Sequence, residues 1–512
     1  MGILDWIDVG KVAAERDDNL HHYFYDAGLS RRLIDSNSSF LMLGRKGAGK
    51  TAVFLHMKEN GALFKENDVR TTLALTNYSW NIHGLLSDET TVESLRYKDS
   101  WRFVIGVEVV RSLVQAYEQK DLKLPKPLRE AGSVLEKIFS KPIPGWLDIL
   151  GDKLLQLTKL RLPKGGLSPD TEGINIDVGE ISFEQIKADN TLRTKLGKNL
   201  ETLTNYIESA ITDGLKDFRV FILFDKLDEA WTENSWEMCK DLNSGSIQAA
   251  DYLPEKFKGR LRPIIFLRED IFETLSINDK NKLREDCGEL LKWDRDSINN
   301  LLLKRINYYA KLNNVSQISE LQELFDRKEV RSRTTPVNYI NRCTFLRPRD
   351  AIAFYRKIID AMKEDKGIYS EESSSSPSDF ETIDQSEHLI CNYIYRAEAA
   401  YSEWLLEELK DEWRSQRADL TSYFQCLGQI GKTIFSPDDF LGRLKELKIG
   451  NENNYMEILK FLYSISVIGF QIGDSKTWRF KAFYPTQGFS QANAYRVHFG
   501  LSQVLGLTES YS

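Results

Sequence analysis

Cysteine is scarce in this chain, with five residues in 512: Cys239, Cys287, Cys343, Cys391 and Cys426. They are odd in number and far apart, which excludes a disulfide framework, offers no zinc-site spacing and fits a reducing cytoplasm. Histidine is almost as rare, with six residues, and the adjacent pair His21-His22 cannot share a helix face, so no histidine metal site is legible. No Ser/His/Asp or Cys/His hydrolase arrangement stands out. No apolar run approaches the roughly 18–20 residues of a membrane span, so no membrane association is expected. The opening MGILDWIDVGKVAAERDD is acidic and lacks the basic and apolar regions of a signal peptide. Positive charge is not in excess either: the net charge is −7, so nucleic acid would need a local basic patch. The remaining composition, 41% apolar and 28% charged, is that of an ordinary soluble globular protein, long enough for two or three domains.

What is present is a phosphate-binding loop. Phe40-Leu41-Met42-Leu43 reads as a buried strand, and Gly44, Arg45, Lys46, Gly47, Ala48, Gly49, Lys50 and Thr51 match G-x-x-x-x-G-K-[ST] in full. The glycines let backbone N–H groups close around a phosphate, Lys50 reaches its outer oxygens, and the Thr51 hydroxyl is placed for Mg²⁺. A helix beginning near Lys50 and continuing through Ala52 aims its positive end at the same anion. ATP with Mg²⁺ is the expected ligand, since no guanine-reading N-K-x-D motif follows at a sensible position.

Around the loop the chain reads as five regions. Residues 1–35 form a helical lead-in and 36–293 a nucleotide-binding core. Within the core, TTLALTNYSW (71–80), FRVFILFDKLDEAW (218–231) and RLRPIIFLREDIF (260–272) read as strands, and 100–119 and 190–211 as helices. Apolar strands alternating with amphipathic helices indicate a largely parallel α/β sheet. The Lys-, Pro- and Gly-rich stretch 120–187 reads as an insertion outside that core, with one short helix, WLDILGDKLLQL. Residues 294–369 read as a helical lid that includes SELQELFDRKEV, and 370–382 as a polar linker. In 383–512 one long helix, EHLICNYIYRAEAAYSEWLLEELKDEW, precedes helices and a hairpin, IGFQIGDSKTWRFKAFY, the pattern of a winged helix.

An ATPase needs a carboxylate at a core-strand tip for Mg²⁺ and a second acid for the attacking water. FILFD supplies Asp225 for the metal; Glu229, with Asp228 behind it, supplies the second, or both of these acids cap the following helix. Arg268 at the tip of the next strand either senses the γ-phosphate or pairs with Asp225 or Asp270. Arg347 and Arg349, flanking Pro348, either clamp phosphates from the lid or are capping or solvated charges.

These motifs resemble a known group. Asp225-Lys226-Leu227-Asp228-Glu229 resembles the D-x-x-D-E Walker B form of STAND-type and related AAA+ ATPases, and Leu346-Arg347-Pro348-Arg349-Asp350 resembles their proline-centred lid motif. AERDDNLHHYF (14–24), GRKGAGKTAVF (44–54), DKLDEAW (225–231), IIFLREDIF (264–272), RPRDAIAFYRKII (347–359) and YRVHFGLSQVLGL (495–507) are together similar to a bacterial family called simply P-loop ATPases. The resemblance implies an α/β P-loop NTPase core with an AAA+/STAND-like parallel sheet, a helical lid and a C-terminal winged-helix-like domain. It also implies a slow ATPase acting as a nucleotide-driven switch, of a kind often found in bacterial defence against phage. Homo-oligomerisation is expected. So is a separate effector protein, because neither a fused effector nor a sensor repeat array is legible. The alternative expectation is a DNA-associated ATPase gripping duplex DNA through the winged helix, for which Arg396, Arg414 and Arg417 and, on the wing, Lys476, Arg479 and Lys481 are the available cations.

Overall fold

The computed structural model describes residues 2–26, 28–75, 78, 80–86, 97–149, 157, 188–228, 235–366, 386–449, 454–473 and 477–509. Glu229, Lys476, the linker at 370–382 and most of the stretch between 150 and 187 lie outside them. The chain divides into two compact units. A sheet unit comprises Gly28–Arg45 and Val53–Leu291; a helical unit comprises Met1–Ala27, Lys46–Ala52 and Lys292–Ser512.

The sheet unit is built on five parallel strands: β1 (Leu41–Gly44), β2 (Asp68–Ala74), β3 (Arg219–Asp225), β4 (Leu261–Arg268) and β5 (Gly288–Leu290). Their spatial order is β2-β3-β4-β1-β5. β3 and β4 are buried along almost their whole length, as continuous apolar strands covered on both faces should be. The helix Lys98–Gln119 is buried nearly all round and packs against the helix Asn190–Gly214, whose N-cap Asp189 accepts from the Thr191 amide at 2.8 Å. Buried Arg262 on β4 donates to the carbonyls of Leu33 (3.1 Å) and Ser39 (2.9 Å), which fixes the chain entering β1. Burial pushes its pKa down to about 10.

Two expectations change here. The strand expected at 71–80 runs Asp68–Ala74, paired with β3 throughout. The stretch 120–187 is not wholly outside the core: the helix Lys126–Phe139 buries Leu128, Val134, Leu135, Ile138 and Phe139 against the two long helices. Its Lys and Pro residues mark the ends of that helix and mask an amphipathic pattern between them.

The helical unit gathers the helices Arg295–Leu312, Pro336–Cys343, Pro348–Asp365 and Asn392–Trp413. The first residues of the chain are part of it: buried Asp17 pairs with Arg305 at 3.0 Å, and the Ile3 amide donates to Ser386 at 2.8 Å. The lead-in therefore does not form a region of its own. SELQELFDRKEV gives only one turn of 3-10 helix, Leu321–Leu324, closed by Glu323 accepting from the Glu320 amide at 2.9 Å. Helices Leu420–Ile430, Pro437–Leu447 and Tyr455–Ser464 then pack with an antiparallel sheet of β6 (Ile434–Phe435), β7 (Ile468–Phe470), β8 (Arg479–Phe480) and β9 (Tyr495–Val497). The order β6-β9-β7-β8 places the late strand β9 between the first strand and the hairpin, so the wing is an elaborated one.

A parallel sheet whose first strand runs into G-x-x-x-x-G-K-T and a helix, followed by helical domains, is the α/β P-loop NTPase fold.

Candidate functional site

In open parallel sheets, ligands bind beyond the C-terminal ends of the strands. Three neighbouring strands of the sheet unit end there in residues of chemical interest. β1 ends at Gly44, level with Arg268 at the end of β4, and Asp225 ends β3, level with Ala74. Asp225 is 4% exposed, a carboxylate kept from bulk water at a strand tip. The next residue, Lys226, turns left-handed with φ 66°, and Leu227 behind it is buried. Asn243 of the helix Trp236–Lys256 ties that turn down, donating to the carbonyls of Leu227 (3.4 Å) and Cys239 (2.8 Å).

Arg268 adopts the ion-pair alternative. It grips Asp270 through both forks, at 3.1 and 2.7 Å, with Asp228 at 3.9 Å from Nη1. A guanidinium so oriented stands ready beside the strand tip but already carries a carboxylate.

The loop after Gly44 belongs, from Lys46 to Ala52, to the helical unit. Gly47 and Gly49 have φ of 78° and 100°, the left-handed region that glycine enters without cost, and the helix starts at Lys50. Three side chains or amides of the helical unit hold the loop's backbone. Trp293 Nε1 donates to the Ala48 carbonyl at 2.8 Å, Arg347 Nη1 to Lys46 at 3.2 Å, and the Arg349 amide to Gly47 at 3.4 Å. A Cβ on Gly47 would stand 3.1 Å from Arg349 Cβ, a tight contact added to the strain of its left-handed φ.

Arg347 stands at the N-cap position of the helix Pro348–Asp365 without a side-chain cap bond, and both arginines are held in ion pairs. Arg347 is 3% exposed and bonded to Asp350 (2.9 Å) and Glu412 (2.9 Å). Burial works against its charge, and the two carboxylates outweigh it, leaving the pKa above the ordinary arginine value. Arg349 pairs with Glu408 at 2.6 Å. Glu408, Glu412 and Trp293 escaped the sequence reading. The first two share a helix face one turn apart within EELKDEW, a signal that points to the arginines only once the fold is known.

The oxygen donors Thr51 and Asp225 are of the type magnesium takes, and magnesium uses one or two carboxylates with phosphate and water rather than a protein cage. No cluster of three or more His, Cys, Asp or Glu side chains suited to a metal occurs among the described residues. Nor is any helix among them long and apolar enough to cross a membrane.

The cations considered for DNA are mostly engaged internally. Arg396 pairs with Asp365, Arg417 with Asp419 at 3.1 Å, Arg479 stacks over Tyr484, and Lys481 donates to Gln487 at 3.2 Å.

Residues 296–380 match the FunZ-associated C-terminal helical domain. The chain is also similar to the 80.3 kDa protein assigned to transposon gamma-delta in Escherichia coli strain K12, with 24% identity over 96% of this chain. The chain spans 65% of that relative's length, and the relative's name states no chemistry. Among solved structures, Cdc6p from Pyrobaculum aerophilum aligns over 96% of both chains at 11% identity and a TM-score of 0.32, a similarity too low to transfer any part of one to the other.

Proposed function

We propose that this protein is an ATP-binding and slowly ATP-hydrolysing switch that changes conformation or assembly with nucleotide state and controls a partner. One observation carries the reading. The strand that leads into the G-x-x-x-x-G-K-T loop lies beside β4 and next but one to β3 in a single parallel sheet, and these strands end in Arg268 and Asp225. In this proposal Gly44 to Ala52 wrap the phosphates, Lys50 neutralises their outer oxygens, and Thr51 with Asp225 holds Mg²⁺. The ion, when bound, offsets phosphate charge. Glu229 directs the attacking water with Asp228 behind it, and Arg268, Arg347 and Arg349 answer to the γ-phosphate. An oligomer of this chain acting on a separate effector in antiviral defence is the biological setting, supported by the motif resemblance alone.

Calorimetric titration of MgATP into wild type, Lys50→Ala and Asp225→Asn tests the reading. Micromolar binding that Lys50→Ala abolishes, and that loses its magnesium dependence in Asp225→Asn, agrees with it. Equal binding by all three proteins contradicts it.

A further inference from the structure

Glu408 and Glu412 lie one turn apart on the helix Asn392–Trp413, and each takes one arginine of the Arg347-Pro348-Arg349 turn. The two pairs are not equivalent. Arg347 and Glu412 are 3% and 5% exposed, and separating them would leave a buried charge without a partner. Arg349 and Glu408 are 27% and 25% exposed, so water reaches them and exchanging one anion for another costs little. Arg349 is also the arginine in contact with the crown of the loop: its amide meets the Gly47 carbonyl at 3.4 Å, and its Cδ stands 3.2 Å from where a Gly47 Cβ would lie. Arg347 adds a second pointer. Its Nη2 is buried and has no hydrogen-bond partner among the described residues, a donor left over for an anion oxygen.

We infer that Glu408 is a resident competitor for phosphate at Arg349. The carboxylate accepts from Arg349 Nη1 at 2.6 Å, a donor that a phosphate oxygen would otherwise take, since carboxylate and phosphate both present anionic oxygens to a guanidinium. A triphosphate entering the loop exchanges with Glu408, while the buried Arg347–Glu412 pair stays closed and acts as the pivot. The helix Asn392–Trp413 thereby registers the state of the loop and passes it to the C-terminal sheet domain of the same unit. Glu408 is a positioning residue: it acts through Arg349 and touches no nucleotide. This inference rests on the reading of Gly44–Thr51 as a triphosphate-binding loop.

The test is MgATP affinity of the full chain for wild type, Glu408→Gln, Arg349→Ala, the double variant and Lys50→Ala. Glu408→Gln keeps the shape and removes the charge. It should tighten MgATP binding by about threefold, the scale of one half-exposed ion pair. Arg349→Ala should weaken binding, and the double variant should bind as Arg349→Ala does, because the competitor has nothing left to compete for. Amide exchange along 402–413 should quicken on MgATP addition in wild type and be quick without nucleotide in Glu408→Gln. A structural glutamate would give unchanged or weaker binding in Glu408→Gln, and that result overturns the inference. So does a gain that persists in the double variant. If Lys50→Ala loses binding while Glu408→Gln is unchanged, only the competitor role falls. If Lys50→Ala binds as wild type does, the nucleotide reading falls and takes this role with it.

Discussion

Arg347 and Glu412 stand 65 residues apart in sequence and 2.9 Å apart in space, with almost no solvent exposure between them. The same Arg347 nitrogen reaches the Lys46 carbonyl of the phosphate-binding loop at 3.2 Å. One buried guanidinium therefore ties the loop to the long helix of its own unit.

Replacing it should be expensive. Arg347→Ala leaves Asp350 and Glu412 buried without their cation, a loss of about 3–5 kcal/mol. Urea unfolding should show the earliest transition at markedly lower denaturant than wild type. Arg347→Lys should recover only part of this, because a lysine cannot bridge Asp350, Glu412 and a carbonyl with one planar fork.

Gly47→Ala should remove nucleotide binding while leaving the protein folded. The substitution meets a left-handed φ of 78° and the Arg349 side chain at 3.1 Å. Gly49→Ala is a useful contrast, since no atom lies within 4 Å of its Cβ position and only its φ of 100° opposes it. Its cost should be backbone strain alone, about 1–3 kcal/mol. Equal MgATP affinity in Gly47→Ala and wild type would show that the loop does not need the close approach of Arg349.

The sheet unit should be acid-sensitive through one side chain. His83 is fully buried, with Tyr78 on one ring nitrogen and Ser100 Oγ at 2.7 Å on the other, and burial pushes its pKa from 6.5 down to about 3. Between those values the unfolded chain binds a proton that the folded chain refuses, so stability is complete above about pH 6.5 and falls as pH drops. The loss should be about 1.4 kcal/mol for each pH unit below roughly 6. Thermal unfolding followed at pH 7, 6 and 5 should show this slope in wild type and a flatter one in His83→Gln.

The parts of the architecture carried by local chemistry were legible in the sequence. β1, β3 and β4 were readable as apolar runs ending in Gly44, Asp225 and Arg268, and the helix after Gly49 followed from the loop motif. β5 was not, because Gly288–Leu290 is three half-buried residues that form a strand only by pairing with β1. β9 is not legible for a different reason: Tyr495–Val497 alternates in burial as a strand should, but three residues are too short a pattern until β6 and β7 pair with them. The helix Pro336–Cys343 is short and was passed over despite a proline at its first position and the Thr335 cap. The Arg347–Glu412 and Arg349–Glu408 pairs depend on which helices meet. No sequence rule links residues about 60 positions apart without a fold to bring them together.

Glu229→Gln should separate binding from turnover. It should keep MgATP affinity and lose phosphate release by about a hundredfold or more, the usual share of a positioned base. Wild-type turnover in that variant would remove Glu229 from the role and leave Asp228, 3.9 Å from Arg268, as the acid to test next.

The most direct test of the switch is molar mass by light scattering, with and without MgATP, on wild type and Lys50→Ala, with phosphate release followed in the same samples. The account predicts slow release together with a nucleotide-dependent gain in mass or change in hydrodynamic radius, both absent in Lys50→Ala. Brisk turnover at unchanged mass and radius would contradict it and describe a motor-like enzyme instead.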